Sequence, residues 1–147
     1  MRTISSDFLE TFAARPVPAA EGPWVAMRDR IALLGVGDQL FLQMILDEGK
    51  TLREVARLVG CDPGNVSRRL RALLKRLRDP LVLALCDKRC PIPADYREIG
   101  LDYFLRGQTS REIAHARNLS RFAVMQVVHF MRSWFRGLCA NRAFLPR

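Results

Sequence analysis

Residues 47–79 read DEGKTLREVARLVGCDPGNVSRRLRALLKRLRD, and the order of polar punctuation and apolar periodicity in this stretch decides the fold. An apolar stripe at Leu42, Ile45 and Leu46 stops at Gly49, a residue that tolerates the left-handed backbone at a helix end. Thr51 followed three residues later by Glu54 spells a capping box, and Leu52, Val55, Ala56 and Val59 give the helix behind it a buried side. Gly60 stops that helix. Asp62 then caps a third helix with Pro63 at its first position, where a missing N–H is harmless, and Val66, Leu70, Leu73, Leu74 and Leu77 line its inner face. The arrangement closes at Pro80. Ala56 is small where two helices joined by a sharp turn must approach closely.

Sliding the chain by 58 positions lays Gly49, Thr51, Arg53, Glu54, Ala56 and Val66 on Gly107, Thr109, Arg111, Glu112, Ala114 and Val124 without a gap. Val55 falls on Ile113, Asp62 on Ser120, Leu70 on Val128, Leu73 on Met131 and Leu77 on Phe135, so the apolar spacing of the helix faces repeats as well. Two copies of one trihelical unit are expected. Cys90-Pro-Ile-Pro93 cannot continue a helix and marks the boundary between them. The expected architecture is all-α: a helical extension over 1–35, a first unit with a trailing helix over 36–90, and a second unit over 91–147. Within the extension, Phe8, Leu9 and Phe12 suggest a short helix. After Pro16, Pro18, Gly22 and Pro23, the residues Trp24, Val25, Met27, Ile31, Leu33 and Leu34 suggest another.

Composition narrows the function classes. Of 147 residues 49% are hydrophobic, enough for a core, and 24 Lys and Arg against 15 Asp and Glu leave a charge of +9, suited to a polyanionic partner. The longest apolar run is far short of the roughly 20 residues of a membrane span, and MRTISSDFLE lacks the pattern of a secretory leader, so a cytoplasmic chain is expected. In that compartment Cys61, Cys86, Cys90 and Cys139 read as reduced thiols.

The first stretch resembles region 4 of the sigma-70 family of RNA polymerase factors and, more broadly, LuxR-like helix-turn-helix proteins, through Gly49, Glu54, Val55, Ala56, Gly60, Val66, Leu70 and the tail from Ala72 to Arg78. The stretch GQTSREIAHARNLSRFAVMQVV at 107–128 looks like a second, weaker member of the class. The resemblance implies tandem helix-turn-helix units whose third helix enters the major groove, with Asn65, Ser67, Arg68 and Arg71 facing DNA. Residues 1–35 are too few to hold the further region with which a sigma factor grips polymerase, so the expectation is a transcriptional regulator.

The charge pattern ranks the two copies. Between Pro63 and Arg78 stand Arg68, Arg69, Arg71, Lys75, Arg76 and Arg78 with no acid. Guanidinium and ammonium groups on a groove-binding helix neutralise phosphates and read guanine O6 and N7. A solvated helix face is the bland alternative for such a run. The second copy carries Gln126, Val127, His129, Ser133 and Trp134 at the positions of Arg68, Arg69, Arg71, Lys75 and Arg76. There Val127, Phe130 and Trp134 form a second apolar stripe, expected to be buried against the N-terminal segment, a second chain or another protein. Arg121, Phe122, Met125 and Gln126 remain for a groove.

No catalytic or cofactor pattern accompanies these units: there is no GxSxG, Walker or HExxH motif, and His115 and His129 lack partners for a triad. Neither an enzyme nor a cofactor is expected. Cys86 and Cys90 could begin a metal site on one helix face, but scattered remaining ligands favour buried thiols and no metal. Trp24 and Trp134 read as core anchors rather than stacking platforms. The sequence therefore predicts a regulator that binds double-stranded DNA, as a homodimer or through both copies. An interaction protein docking on RNA polymerase is the alternative, and a component binding RNA or mobile-DNA ends is a third.

Overall fold

The computed structural model describes residues 23–140, with side chains from Met27 onward. The expected helix around Phe8, Leu9 and Phe12, and the side chain of Trp24, lie outside the described residues. Eight helices and no strand occur among those residues: α1 Pro23–Ala32, α2 Val36–Leu46, α3 Leu52–Val59, α4 Pro63–Leu77, α5 Pro80–Cys86, α6 Ala94–Phe104, α7 Ser110–Arg117 and α8 Arg121–Ala140. None is long and apolar enough to cross a membrane. The chain divides into two compact units between Lys75 and Arg76, in the last turn of α4.

In the first unit, α2 buries Phe41, Leu42 and Ile45, and α3 packs on it. Gly49 adopts φ +63° in the link, and Thr51 begins α3 with the expected box. The Glu54 N–H donates to Thr51 Oγ1 at 3.2 Å while the Thr51 N–H donates to Glu54 Oε2 at 2.7 Å, satisfying two orphan donors reciprocally. Gly60 ends α3 at φ +73°, and Asp62 accepts from the Gly64 N–H at 2.9 Å as α4 begins. Val55, Ala56, Val66, Leu70 and Leu73 are all buried, closing the core beneath the turn. Met27, within α1, and Leu34, just after it, are buried too.

The second unit repeats this local chemistry. Gly107 takes φ +69°, Thr109 and Glu112 form the same box, and Asn118 replaces Gly60 at φ +53°. Asparagine is one of the few side chains that enters the left-handed region readily, which explains the exchange. Ser120 Oγ accepts from the Ala123 N–H at 3.0 Å at the start of α8. Ile113, Val124, Val128 and Met131 are fully buried, as are their counterparts in the first unit.

Helix α5 packs against α6 and α8 and so belongs to the second unit, whereas the sequence pattern assigns the trailing segment to the first. Asp79 starts it by accepting from the Leu81 N–H at 2.9 Å, with Pro80 at its head, and Leu81, Val82 and Leu85 are buried. The helix stops at Cys86. Cys90 therefore sits in the following turn, its N–H bonded to Asp87 O at 3.0 Å, and does not share a helix face with Cys86. Both thiols are half-buried and Cys61 and Cys139 are exposed, so the expectation of buried thiols gives way to partly accessible ones.

Candidate nucleic-acid interface

Helix periodicity divides the side chains of α4 into three groups. Val66, Leu70, Leu73 and Leu74 point into the first unit and are buried. Successive residues turn by 100°, so Asn65, Arg68, Arg71 and Lys75 fall on the side opposite this core, and all four are exposed. From Arg68 to Lys75 the cations run along about 10 Å of helix axis at 1.5 Å per residue. That is a continuous positive stripe on a rigid element. Its N-terminal end carries the polar Asn65, whose Oδ1 accepts a hydrogen bond from Arg68 Nη2.

Two of the residues singled out from sequence stand elsewhere. Arg69 lies about 100° round the helix from Arg68. Its Nη2 pairs with Asp38 Oδ1 at 2.9 Å, and its guanidinium carbon stands 4.4 Å from the centroid of the buried Phe41 ring. The ion pair and the cation–π contact hold Arg69 across α2, flanking the outer stripe rather than within it. Ser67 is half-buried on the other flank, beside the buried Leu70 and Leu74. Position within the sequence run does not reveal this, because the partner of Arg69 lies 31 residues earlier.

The corresponding face of α8 is chemically different. Arg121 and Gln126 are exposed, and between them Phe122 is 72% exposed, with Met125 half-buried alongside. The stripe expected to be buried is only partly so: Val127 packs beside the core of Ile99, Ile113, Ala114 and Val124, Trp134 is half-buried, and Phe130 is 53% exposed. Arg132 lies over both the Tyr103 and Phe104 rings at 5.8 and 5.6 Å. One side of α8 thus offers apolar surface with arginines at its margins.

An ion cluster around one buried carboxylate, not anticipated from sequence, fixes the helix pair in front of α8. Asp102 Oδ1 accepts from Arg106 Nη1 at 2.6 Å and Oδ2 from Arg117 Nε at 2.8 Å, while Glu98 lies 3.3 Å from Arg106. The carboxylate of Asp102 is 8% exposed, so both of its oxygens need such partners. The cluster ties α6 to the end of α7. Its only local signal is the four-residue spacing of Asp102 and Arg106. At the equivalent positions of the first unit stand Met44, Glu48, Val59 and Leu40, so this clamp is peculiar to the second copy.

Among the described residues no group of three or more His, Cys, Asp or Glu side chains could hold a metal. An open depression near α3, lined by Glu48, Gly49, Lys50, Glu54, Arg57 and Leu58, mixes both charges and lacks enclosure. The chemistry of the surface is therefore that of polar and ionic contact along α4. Comparison with family models, curated proteins and solved structures gives no match to this chain.

Proposed function

We propose that this chain is a transcriptional regulator of the cytoplasm, built of tandem helix-turn-helix units like region 4 of the sigma-70 family, that binds double-stranded DNA through α4 of the first unit. One observation carries the reading: Asn65, Arg68, Arg71 and Lys75 form an exposed acid-free stripe opposite a fully buried face. A helix so disposed can lie in the major groove, its N-terminal polar residues at base edges and its cations against phosphates. Arg69 serves the fold by joining α4 to α2, and Ser67 contributes at the margin. In the second unit, Arg121 and Gln126 supply fewer polar contacts.

The test is a salt-controlled gel-shift titration on duplex DNA. Changing Arg68 and Arg71 together to Ala is expected to weaken binding far more than changing Arg121 and Gln126 together. Equal losses would refute the ranking of the two units.

A second reading has its own support in the exposed Phe122 and Phe130 and the half-buried Val127 and Trp134. In it the helix-turn-helix folds dock on RNA polymerase, or α8 pairs with a second copy of the chain. Retention of polymerase subunits on immobilised protein, without duplex binding at moderate salt, would favour that reading over the first.

A further inference from the structure

We infer that an apolar strip on the outer side of α2 is the docking site of this chain's own N-terminal segment, residues 4–12. Val36, Leu40 and Met44 recur every four residues on α2, away from its buried Phe41, Leu42 and Ile45. Val36 is 73% and Leu40 54% exposed, and Met44 is half-buried. Val59, 48% exposed at the end of α3, extends the strip. By the 58-residue repeat, Leu40, Met44 and Val59 hold the positions of Glu98, Asp102 and Arg117, and in the second unit Arg117 Nε stands 2.8 Å from Asp102 Oδ2. The second unit closes this corner with its own ions. The first leaves apolar side chains open at the same place, a contiguous surface of the kind that marks a contact.

Sequence and chain path name the occupant. Ile4, Phe8 and Phe12 repeat the same four-residue spacing, so in helical register they share one side, flanked by Leu9, with Ser6, Asp7 and Glu10 opposite. Gln39 Nε2 donates to Leu34 O at 2.7 Å and Arg28 Nη2 reaches Asp47 Oδ1 at 3.2 Å, so α1 runs antiparallel to α2 and begins, at Pro23, toward the Met44 end of the strip. Residues 13–22 can span up to roughly 33 Å, about twice the length of α2. So short a tether presents the segment at an effective concentration on the order of millimolar, which favours it over a second copy drawn from solution. Leu40 lies about 160° round α2 from Asp38, the partner of Arg69 on α4, so the docked segment leaves the cationic stripe of α4 open.

Amide hydrogen exchange of the full chain, read by mass spectrometry, tests the contact. Residues 4–12 should exchange about tenfold or more slowly in the wild type than in Leu40→Ser, a change at an exposed position that leaves the core of the first unit intact. Phe8→Ser combined with Phe12→Ser alters no residue of α2 or α3 and should release the segment to the same degree, which separates loss of docking from damage to the first unit. Equal exchange of residues 4–12 in the wild type and in Leu40→Ser would overturn the inference. So would a dimer in sedimentation that Leu40→Ser dissociates while residues 4–12 exchange freely, an outcome that assigns the strip to a second copy. Duplex affinity enters none of these readouts, so failure of the DNA-binding reading would leave the docking standing, and failure of the docking would leave that reading untouched.

Discussion

At Gly100 in α6, a side chain as small as a methyl group is excluded by the residue that corresponds to Leu73 of the first unit. A Cβ there would run into Met131 Sδ and lie 3.1 Å from Leu85 Cδ1. The first unit has Leu42 and Leu73 at the two matching positions, both buried, where the second has Gly100 and Met131. Met131 is fully buried, so its thioether would have to shift within the core to admit the new carbon. Gly100→Ala should therefore overpack the core and destabilise the second unit by about 1–3 kcal/mol, although alanine is the better helix former. Gly137, in α8, has nothing within 4 Å of the same added carbon. Gly137→Ala should be neutral or stabilise by at most about 1 kcal/mol. Denaturant titration of both variants separates packing from propensity; matching responses would show that the contact with Met131 does not govern Gly100.

The helix starts are where local sequence and structure agree most closely, because each cap is completed within three residues. Both capping boxes are legible at Thr51 and Thr109, and so are the left-handed stops at Gly49, Gly60 and Gly107. Asp79 and Pro80 repeat the signal of Asp62 and Pro63 and begin the expected trailing helix, but local sequence does not show that this helix packs in the second unit. What the chain cannot disclose locally are the partners of Arg69 and Asp102. Asp38 and Arg117 reach them only after the helices have packed. Consequently the cationic run on α4 is legible as a run, but its division into an outer stripe and a tethered arginine is not. The boxes have a measurable acid signature. Glu112 has its pKa held below the ordinary value of 4.5, chiefly by the Thr109 backbone N–H and then by its hydroxyl. Its stabilising contribution is full above 4.5 and is lost as pH falls through the lower, folded-state value. Glu112→Gln retains an acceptor for the Thr109 N–H but removes the charge. The wild type should thus be the more stable at neutral pH, with the gap closing on acidification beneath 4.5, as followed by denaturation midpoints. A gap constant across that range would exclude the carboxylate as its source. Thr109→Ala, which removes the other half of the box, should cost about 1 kcal/mol at neutral pH.

Across the molecule, charge and recognition surface are divided differently. Residues 76–147 hold 13 Lys and Arg against 6 Asp and Glu, a surplus of seven, while residues 1–75 hold 11 against 9, a surplus of two. The exposed stripe that suits a groove nevertheless lies in the less charged unit. Long-range attraction depends on summed charge, whereas base discrimination depends on donors fixed at a few ångströms. The two units should accordingly contribute different components of binding. Arg111 and Arg136 are exposed in the second unit and lie off the α4 stripe. Replacing both with Ala should slow association and weaken binding to every duplex alike, most strongly at low salt. It should flatten the slope of log affinity against log salt by up to about 0.9 for each phosphate no longer neutralised, and leave the ratio of specific to random binding unchanged. On the proposed reading, replacing Arg68 should instead collapse that ratio, because a guanidinium on that stripe would contact base edges. Rates and affinities measured across a salt series on an enriched site and on a scrambled duplex distinguish the two effects. If the Arg111 and Arg136 substitutions altered the ratio as much as removal of Arg68, sequence reading would have to be shared by both units and the division between attraction and recognition would fall.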